Sequence, residues 1–327
     1  MAQLLIQNSR KTKGGVMKLL LSKPRGFCAG VERAIETVEK ALELWGAPIY
    51  VKHEIVHNRH VVEGLRAKGA IFIEDLDDVP VGARLIYSAH GVSPAVREQA
   101  KSRQLIEIDA TCGLVTRVHS AVKRFAALGY QIILIGHRNH VEIIGTAGEA
   151  PGVTTIVESV ADVGKLTFSK EEKLFYITQT TLSLDDVKEI TEALIAKYPH
   201  IETLPSSSIC YATTNRQMAL REITGETDLV LVVGDPQSSN SNRLREVASK
   251  RGIASYLINN ESEIRSEWLA GVNIIGLTAG ASTPEIIVQK CIQKLINFGV
   301  TEVEDVVYTN EDVVFQLPKP VMAAFKQ

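Results

Sequence analysis

Short apolar runs alternate with amphipathic stretches along almost the whole chain. The runs "VMKLLLS" (16–22), "PIYV" (48–51), "ARLIYSA" (83–89), "YQIILIG" (130–136), "KLFYITQ" (173–179), "DLVLVVG" (228–234), "ASYLI" (254–258) and "VNIIGLT" (272–278) predict strands. Between them, helical patterning predicts helices over 31–45, 94–103, 116–128, 185–198, 215–224, 241–251 and 284–297. Near-continuous apolar strands separated by helices predict an α/β protein with parallel sheets covered on both faces.

The segments after the strands are small and polar: "SAHGVSP", "GHRNHVE", "TQTTLSLDD", "GDPQSSNSNR" and "TAGASTPE". Open α/β sheets bind ligands at the carboxyl ends of their strands, beside helix N-termini that favour anions. Any one such loop is explained by helix capping alone. "STPE", for instance, reads as a cap followed by Pro284 at the first helical position.

Composition narrows the class. The 327 residues suggest two to three domains. Thirty-six basic against 38 acidic residues leave a net charge of −2, which argues against a general nucleic-acid footprint. No apolar run reaches the roughly 18–20 residues of a membrane span, and the first 16 residues lack a signal-peptide pattern. The expectation is a soluble cytoplasmic protein, with 1–16 as a loose tail ahead of Met17.

Four cysteines add chemistry. Three of their contexts align: "RGFCAGVERAIETVEK", "DATCGLVTRVHSAVKR" and "SSICYATTNRQMALRE". Each cysteine follows a small or extended stretch and opens an amphipathic helix, a position expected to lower a thiol pKa. Three thiolates brought from distant segments fit no structural zinc pattern, which pairs its cysteines locally. They suit an iron–sulfur cluster held by three cysteines with one iron left open as a Lewis acid. A buried thiol packing as a small hydrophobe explains each one singly. Cys291, at helical spacing from Ile287, reads that way.

With "PRGFCAGV", "VHNRHVV", "SAHGVS", "DATC", "TQTTLS", "CYATTNRQ", "SSNSNRL" and "TAGAS" in order from about Met17 to Pro320, the chain resembles the 4-hydroxy-3-methylbut-2-enyl diphosphate reductase (LytB) family. The resemblance implies three small α/β domains in pseudo-threefold arrangement around a central [4Fe-4S] cluster. The expected divisions are 17–112, 113–208 and 209–300, with 301–327 packing back on the core. It implies Cys28, Cys112 and Cys210 as cluster ligands, with one iron not held by protein. The implied reaction removes the allylic hydroxyl of a C5 diphosphate with two electrons and two protons, giving isopentenyl and dimethylallyl diphosphates. Ferredoxin or flavodoxin is the implied electron donor.

By the same resemblance His57, His90 and His140 face the diphosphate, with Ser238, Ser239, Asn240 and Ser282 as hydroxyl and amide contacts. Glu142 is the implied proton donor. Thr180, beside Gln179, is the hydroxyl that orients substrate and relays the proton. Plainer readings exist for each: Glu142 as a first-turn helix acid, Thr180 and Thr181 as strand formers, Ser238 to Ser241 as a turn and cap. His53, His60, His119, His137 and His200 are read as ordinary polar residues. Gly26 is expected to use a φ closed to other residues, and Gly30 to let backbone approach the cluster. Two family prolines are replaced, by Gly113 and Val141, which implies less preorganised loops.

Two other classes fit three thiolates. A cluster hydro-lyase would need no reductant and would meet a carboxylate substrate with arginine, such as Arg25, Arg216 or Arg243. A non-enzymatic iron–sulfur sensor would need a partner surface or a basic element, which the composition does not supply.

Overall fold

The computed structural model describes residues 17–325, so the tail expected over 1–16 lies outside the described residues. From β1 (Met17–Lys23) the chain runs through α1 (Ala29–Trp45), β2 (Ile49–Lys52), α2 (Arg59–Ala67), β3 (Ala70–Ile73), β4 (Arg84–Tyr87), α3 (Pro94–Ser102) and β5 (Ile106–Asp109). It continues with α4 (Gly113–Ala127), β6 (Gln131–Ile135), α5 (Val141–Ala147), β7 (Thr154–Val157), α6 (Val160–Lys165), β8 (Leu174–Thr178) and α7 (Leu184–Lys197). The last part is α8 (Tyr211–Thr224), β9 (Leu229–Val233), α9 (Ser239–Ser249), β10 (Ala254–Ile258), β11 (Ile274–Ala279), α10 (Glu285–Asn297), β12 (Val300–Val307) and α11 (Lys319–Ala324). No described helix is long and apolar enough to cross a membrane.

The strands form three sheets, ordered β3-β2-β4-β5, β7-β6-β8 and β10-β9-β11-β1-β12. Every neighbouring pair is parallel, as the unbroken apolar runs predict. Alternation along each strand feeds two cores. In the five-stranded sheet Leu19, Leu21, Leu229 and Leu231 face α10, while Leu20, Val230 and Val232 face α8 and α9. Ile133 and Ile135 of the second sheet pack toward α6 and α7, and Ile132 and Leu134 toward α4.

The sheets divide the chain differently from the expected 17–112, 113–208 and 209–300. β1 leaves the first unit and sits between β11 and β12. The reason is its sequence: Leu19, Leu20, Leu21 and Ser22 are all buried, which requires neighbours on both edges and cover on both faces. The expected C-terminal piece 301–327 is likewise divided. Its first residues are β12, and α11 packs on α1, with Val321 buried among Ala34, Val38 and Ala41. Four strands that the sequence pattern did not predict, β3, β5, β7 and β12, all lie at sheet edges.

Residues 308–325 cross the starts of three helices as a strap. Glu311 pairs with Arg216 of α8 at 3.1 Å, the Gln316 carbonyl accepts from Arg33 of α1 at 2.6 Å, and Phe315 lies against Gly113 at the start of α4. Arg216 is fully buried and also donates to the carbonyls of Gly26, Phe27 and Ala212. Removing one partner of a buried, hydrogen-bonded ion pair costs about 3–5 kcal/mol. Arg216→Met is therefore expected to lose stability of that order, seen as a clearly lower urea midpoint; an unchanged midpoint would show that the clamp contributes little.

Candidate active site

Each of the three aligned cysteines is the N-cap of a helix: Cys28 of α1, Cys112 of α4 and Cys210 of α8. Each is also held by its own backbone N–H. Cys28 donates to the Ala281 carbonyl at 3.2 Å, Cys112 to Ala89 at 3.0 Å and Cys210 to Thr180 at 3.0 Å. The acceptors belong to the loops after β11, β4 and β8, so each thiol is fixed to the carboxyl end of a different sheet. Gly26 has φ +69, the left-handed value that the sequence led us to expect. A Cβ on Gly30 would sit 2.6 Å from the Cys112 sulfur. Only glycine lets α1 come so close to the second thiol.

All twelve site residues named from the sequence line one cavity. The cysteines lie with Glu142 and Thr180. Around them are His57, His90, His140, Ser238, Ser239, Asn240 and Ser282.

The histidine rings form a compact group. His57 stacks on His90 with centroids 4.2 Å apart, and both meet His140 edge-on at 5.4 and 5.9 Å. Burial, then the neighbouring His57, pushes the His140 pKa down to about 3, and the same causes hold His90 well below its usual value. Both rings are therefore neutral near pH 7 in the free site. His140 caps α5, its Nδ1 accepting the Glu142 N–H at 3.1 Å. That bond leaves Nε2 as the proton-bearing nitrogen.

The opposite wall starts α9. Ser238 accepts the Ser241 N–H, which leaves its hydroxyl hydrogen free, and Ser239 and Asn240 occupy the first two helical positions. Asn240 is buried, and among the described residues neither its amide nitrogen nor its oxygen has a hydrogen-bond partner. An unsatisfied buried amide costs roughly 1–3 kcal/mol, so it marks a place for a polar ligand. Ser282 differs, since its hydroxyl already donates to the His57 carbonyl at 2.9 Å and fixes that loop.

Glu142 is buried in the first turn of α5. Its Oε1 accepts the Thr180 N–H at 2.7 Å, and its Oε2 lies 2.9 Å from the Thr180 hydroxyl. Desolvation raises the carboxyl pKa against the lowering effect of those two bonds. Because Oε1 is held by an N–H, Oε2 is the oxygen able to carry an acid proton, and the Thr180 hydroxyl faces it.

The LytB protein family matches residues 19–296. The chain belongs to the LytB family. It is 85% identical over 308 residues to the 4-hydroxy-3-methylbut-2-enyl diphosphate reductase of Protochlamydia amoebophila (strain UWE25), spanning 94% of this chain and 98% of that one. It is 64% identical over 304 residues to the enzyme of the same name from Chlamydia pneumoniae, spanning 92% and 98%. Among solved structures, the E-1-hydroxy-2-methyl-but-2-enyl-4-diphosphate reductase of Plasmodium falciparum superposes with a TM-score of 0.93 at 52% identity, over 95% of this chain and 98% of that one. A second solved reductase, described as the terminal enzyme of the non-mevalonate pathway, gives 0.62 at 30% identity, over 86% and 100%.

LytB proteins are iron–sulfur proteins, and the residues here fit such a group. The sequence led us to expect lowered thiol pKa values at these helix starts, but the structure corrects this for two of them. Burial pushes Cys112 up to about 11 and Cys210 up to about 12, outweighing the backbone N–H donors and aided by the nearby Cys28. Thiols this buried become thiolates when a metal compensates the charge. Among the described residues, the three sulfurs do not form a set within 4.8 Å of one another. Thiolates around one tetrahedral zinc would lie about 3.8 Å apart at Zn–S ~2.3 Å, so the spread suits several metal ions. Cys291 is a buried core thiol, as expected.

Some neighbours were missed. Thr213 Oγ1 lies 3.1 Å from the Cys210 sulfur; its place three residues after the cysteine was the available signal. His53, read as ordinary, joins the histidine group at 5.4 Å from His57, with Nδ1 on Glu74 at 2.7 Å. Its spacing in "HEIVH" could have revealed it. His60 and His200 bond only backbone carbonyls. Gln179 lies behind the cavity wall, bonding the His137 N–H and Thr181.

Two outcomes follow. Gly30→Ala should fold yet retain little iron and sulfide after reconstitution, because its Cβ displaces the Cys112 sulfur; normal iron content would refute the close approach. Inorganic pyrophosphate binding at pH 7.5 should take up protons, since His90 starts neutral and an anion raises its pKa. Calorimetry in buffers of different ionisation enthalpy reads the proton count, and a count of zero would mean that the rings bind as neutral donors.

Proposed function

We propose that this chain reduces (E)-4-hydroxy-3-methylbut-2-enyl diphosphate to isopentenyl and dimethylallyl diphosphates, consuming two electrons and two protons and releasing water. The observation that carries this reading is one chamber holding three cluster-type thiols, a buried carboxyl of raised pKa, and an anion cage of neutral donors. Cys28, Cys112 and Cys210 would hold a [4Fe-4S] cluster with one iron free of protein ligands. When bound, that cluster supplies single electrons and a Lewis-acidic position for oxygen.

The protein's own groups divide the remaining work. The diphosphate lies between the His57, His90 and His140 rings and the start of α9, where Ser238, Ser239 and Asn240 offer hydroxyl, amide and backbone donors. His140 presents Nε2–H as a neutral donor, and protonation of the His90 ring on binding adds charge where the anion sits. The C5 chain then points toward Glu142 and Thr180. The Glu142 carboxyl gives its Oε2 proton through the Thr180 hydroxyl to the leaving hydroxyl oxygen, and Thr180 N–H steadies the carboxylate that results. Val31, Val56, Leu114 and Val115 among the lining residues exclude water from the reacting end.

The hydro-lyase alternative loses its arginines. Arg25 pairs with Glu285 and Asp305, Arg216 is consumed by carbonyls and Glu311, and Arg243 pairs with Asp186 and Glu246. None of the three lines the chamber. A ferredoxin or flavodoxin is the proposed electron donor, and the cytoplasm, which keeps thiols reduced, the proposed location.

Anaerobic turnover of the hydroxylated C5 diphosphate with a strong one-electron reductant tests the reading. Wild type should lose the hydroxyl only when reductant is present, and Glu142→Gln should be slower by ~10²–10⁴-fold, as for a lost general acid. Untouched substrate with cluster-loaded wild type would overturn the proposed reaction.

A further inference from the structure

Glu142 is closed off from bulk water, yet the proposed reaction draws a proton from it in each turnover. A second cavity lies behind its helix, lined by Arg97, Asp109, Ser120, Lys123, His119 and Glu149 among others. His119 comes from α4 and is buried. Its Nδ1 lies 2.9 Å from Glu149, which is itself mostly buried just beyond the end of α5. Its Nε2 is buried without a hydrogen-bond partner among the described residues.

Two glycines make room for this ring. A Cβ on Gly91 would lie 3.1 Å from Nε2, and one on Gly145 would lie 3.4 Å from the ring carbon Cε1. Gly91 follows His90. Gly145 is three residues after Glu142, so it shares a face of α5 with the acid. Thr146, four residues after Glu142 on that same side, has a buried hydroxyl that also lacks a partner. The ring therefore lies against the flank of the helix that carries Glu142, at the junction with the His90 loop. On its other side is the second cavity.

We propose that His119, oriented by Glu149, is the relay through which Glu142 is recharged with protons from this rear cavity. The inference rests on the proposed reductase reaction. When Glu142 has given its proton to the leaving hydroxyl, His119 passes its Nε2 proton toward the new carboxylate while Nδ1 takes one from the Glu149 carboxyl. Water of the rear cavity restores the Glu149 proton, and the ring returns to its Nε2–H form between turnovers, so one proton enters from solvent for each proton delivered. The charged and titrating groups around the ring are Glu149, Glu142, His90, Asp109, Arg97 and Lys123, and the charge of His119 is among those felt at Glu142.

The test uses reconstituted holoenzyme. His119→Gln should lower kcat by about tenfold or more, below the ~10²–10⁴-fold of a lost general acid, while inorganic pyrophosphate affinity stays within about twofold, the pattern of a lost step rather than lost binding. Its solvent deuterium isotope effect on kcat should exceed that of wild type. His119→Gly should regain rate when imidazole is added, and Glu149→Gln should shift the pH profile of kcat. Full activity in His119→Gln with an unchanged isotope effect would overturn the relay. So would a slow His119→Gly that imidazole does not rescue, or equal losses of rate and pyrophosphate affinity. Failure of wild type to reduce the substrate would instead overturn the reaction itself.

Discussion

Three half-buried thiols must meet in one chamber, and each is tied there by a single backbone hydrogen bond to a neighbouring strand end. Cys28 is bound to Ala281, Cys112 to Ala89 and Cys210 to Thr180. Since these acceptors end strands of three different sheets, the bonds turn three separately packed units into one frame. The arginines reinforce it. Arg33 holds the carbonyls of Asp109 and Thr111 ahead of Cys112, and Arg216 those of Gly26 and Phe27 ahead of Cys28. Both also grip the C-terminal strap.

The same loops carry the chamber's polar groups. Ala89 precedes His90, Thr180 supplies both its carbonyl to Cys210 and its hydroxyl to Glu142, and Ala281 precedes Ser282. A shift of any cysteine loop therefore moves a proton donor or an anion contact with it. Electrostatics follows from burial. With no lysine or arginine among the described lining residues, burial raises the pKa of the Glu142 carboxyl and lowers those of His90 and His140, and an arriving anion supplies the charge that the chamber lacks. A neutral cage of this kind avoids the cost of keeping buried cations without partners.

Much of this was legible in the sequence. The central strands and long helices follow their apolar periodicity, and the cysteine, histidine and serine loops fall at the strand ends where α/β sheets bind ligands. What escaped was set by tertiary context. β5 reads "IEID" and β12 "VTEVEDVV", edge strands with much of their length in solvent, so neither carries the apolar run by which the central strands were recognised. The place of β1 could not be read from chain order, because its partners come from the far end of the chain. His53 and His119 looked ordinary because their surroundings, Glu74 for one and Glu149 with two glycines for the other, are assembled only by folding. At the two replaced prolines, Gly113 lies beside Phe315 and Val141 is the first residue of α5.

The position of β1 has a consequence for how the molecule is made. Met17 pairs with Val300, and Lys18 with Ile274, so β1 must wait for strands synthesised about 250 residues later. Until then the five-stranded sheet has no centre, the Ala281 carbonyl that anchors Cys28 does not exist, and the strap that joins the starts of α1, α4 and α8 has not been synthesised. Closing so long a loop is slow. The chamber is thus completed late, and all three thiols are synthesised before the frame that fixes Cys28 exists.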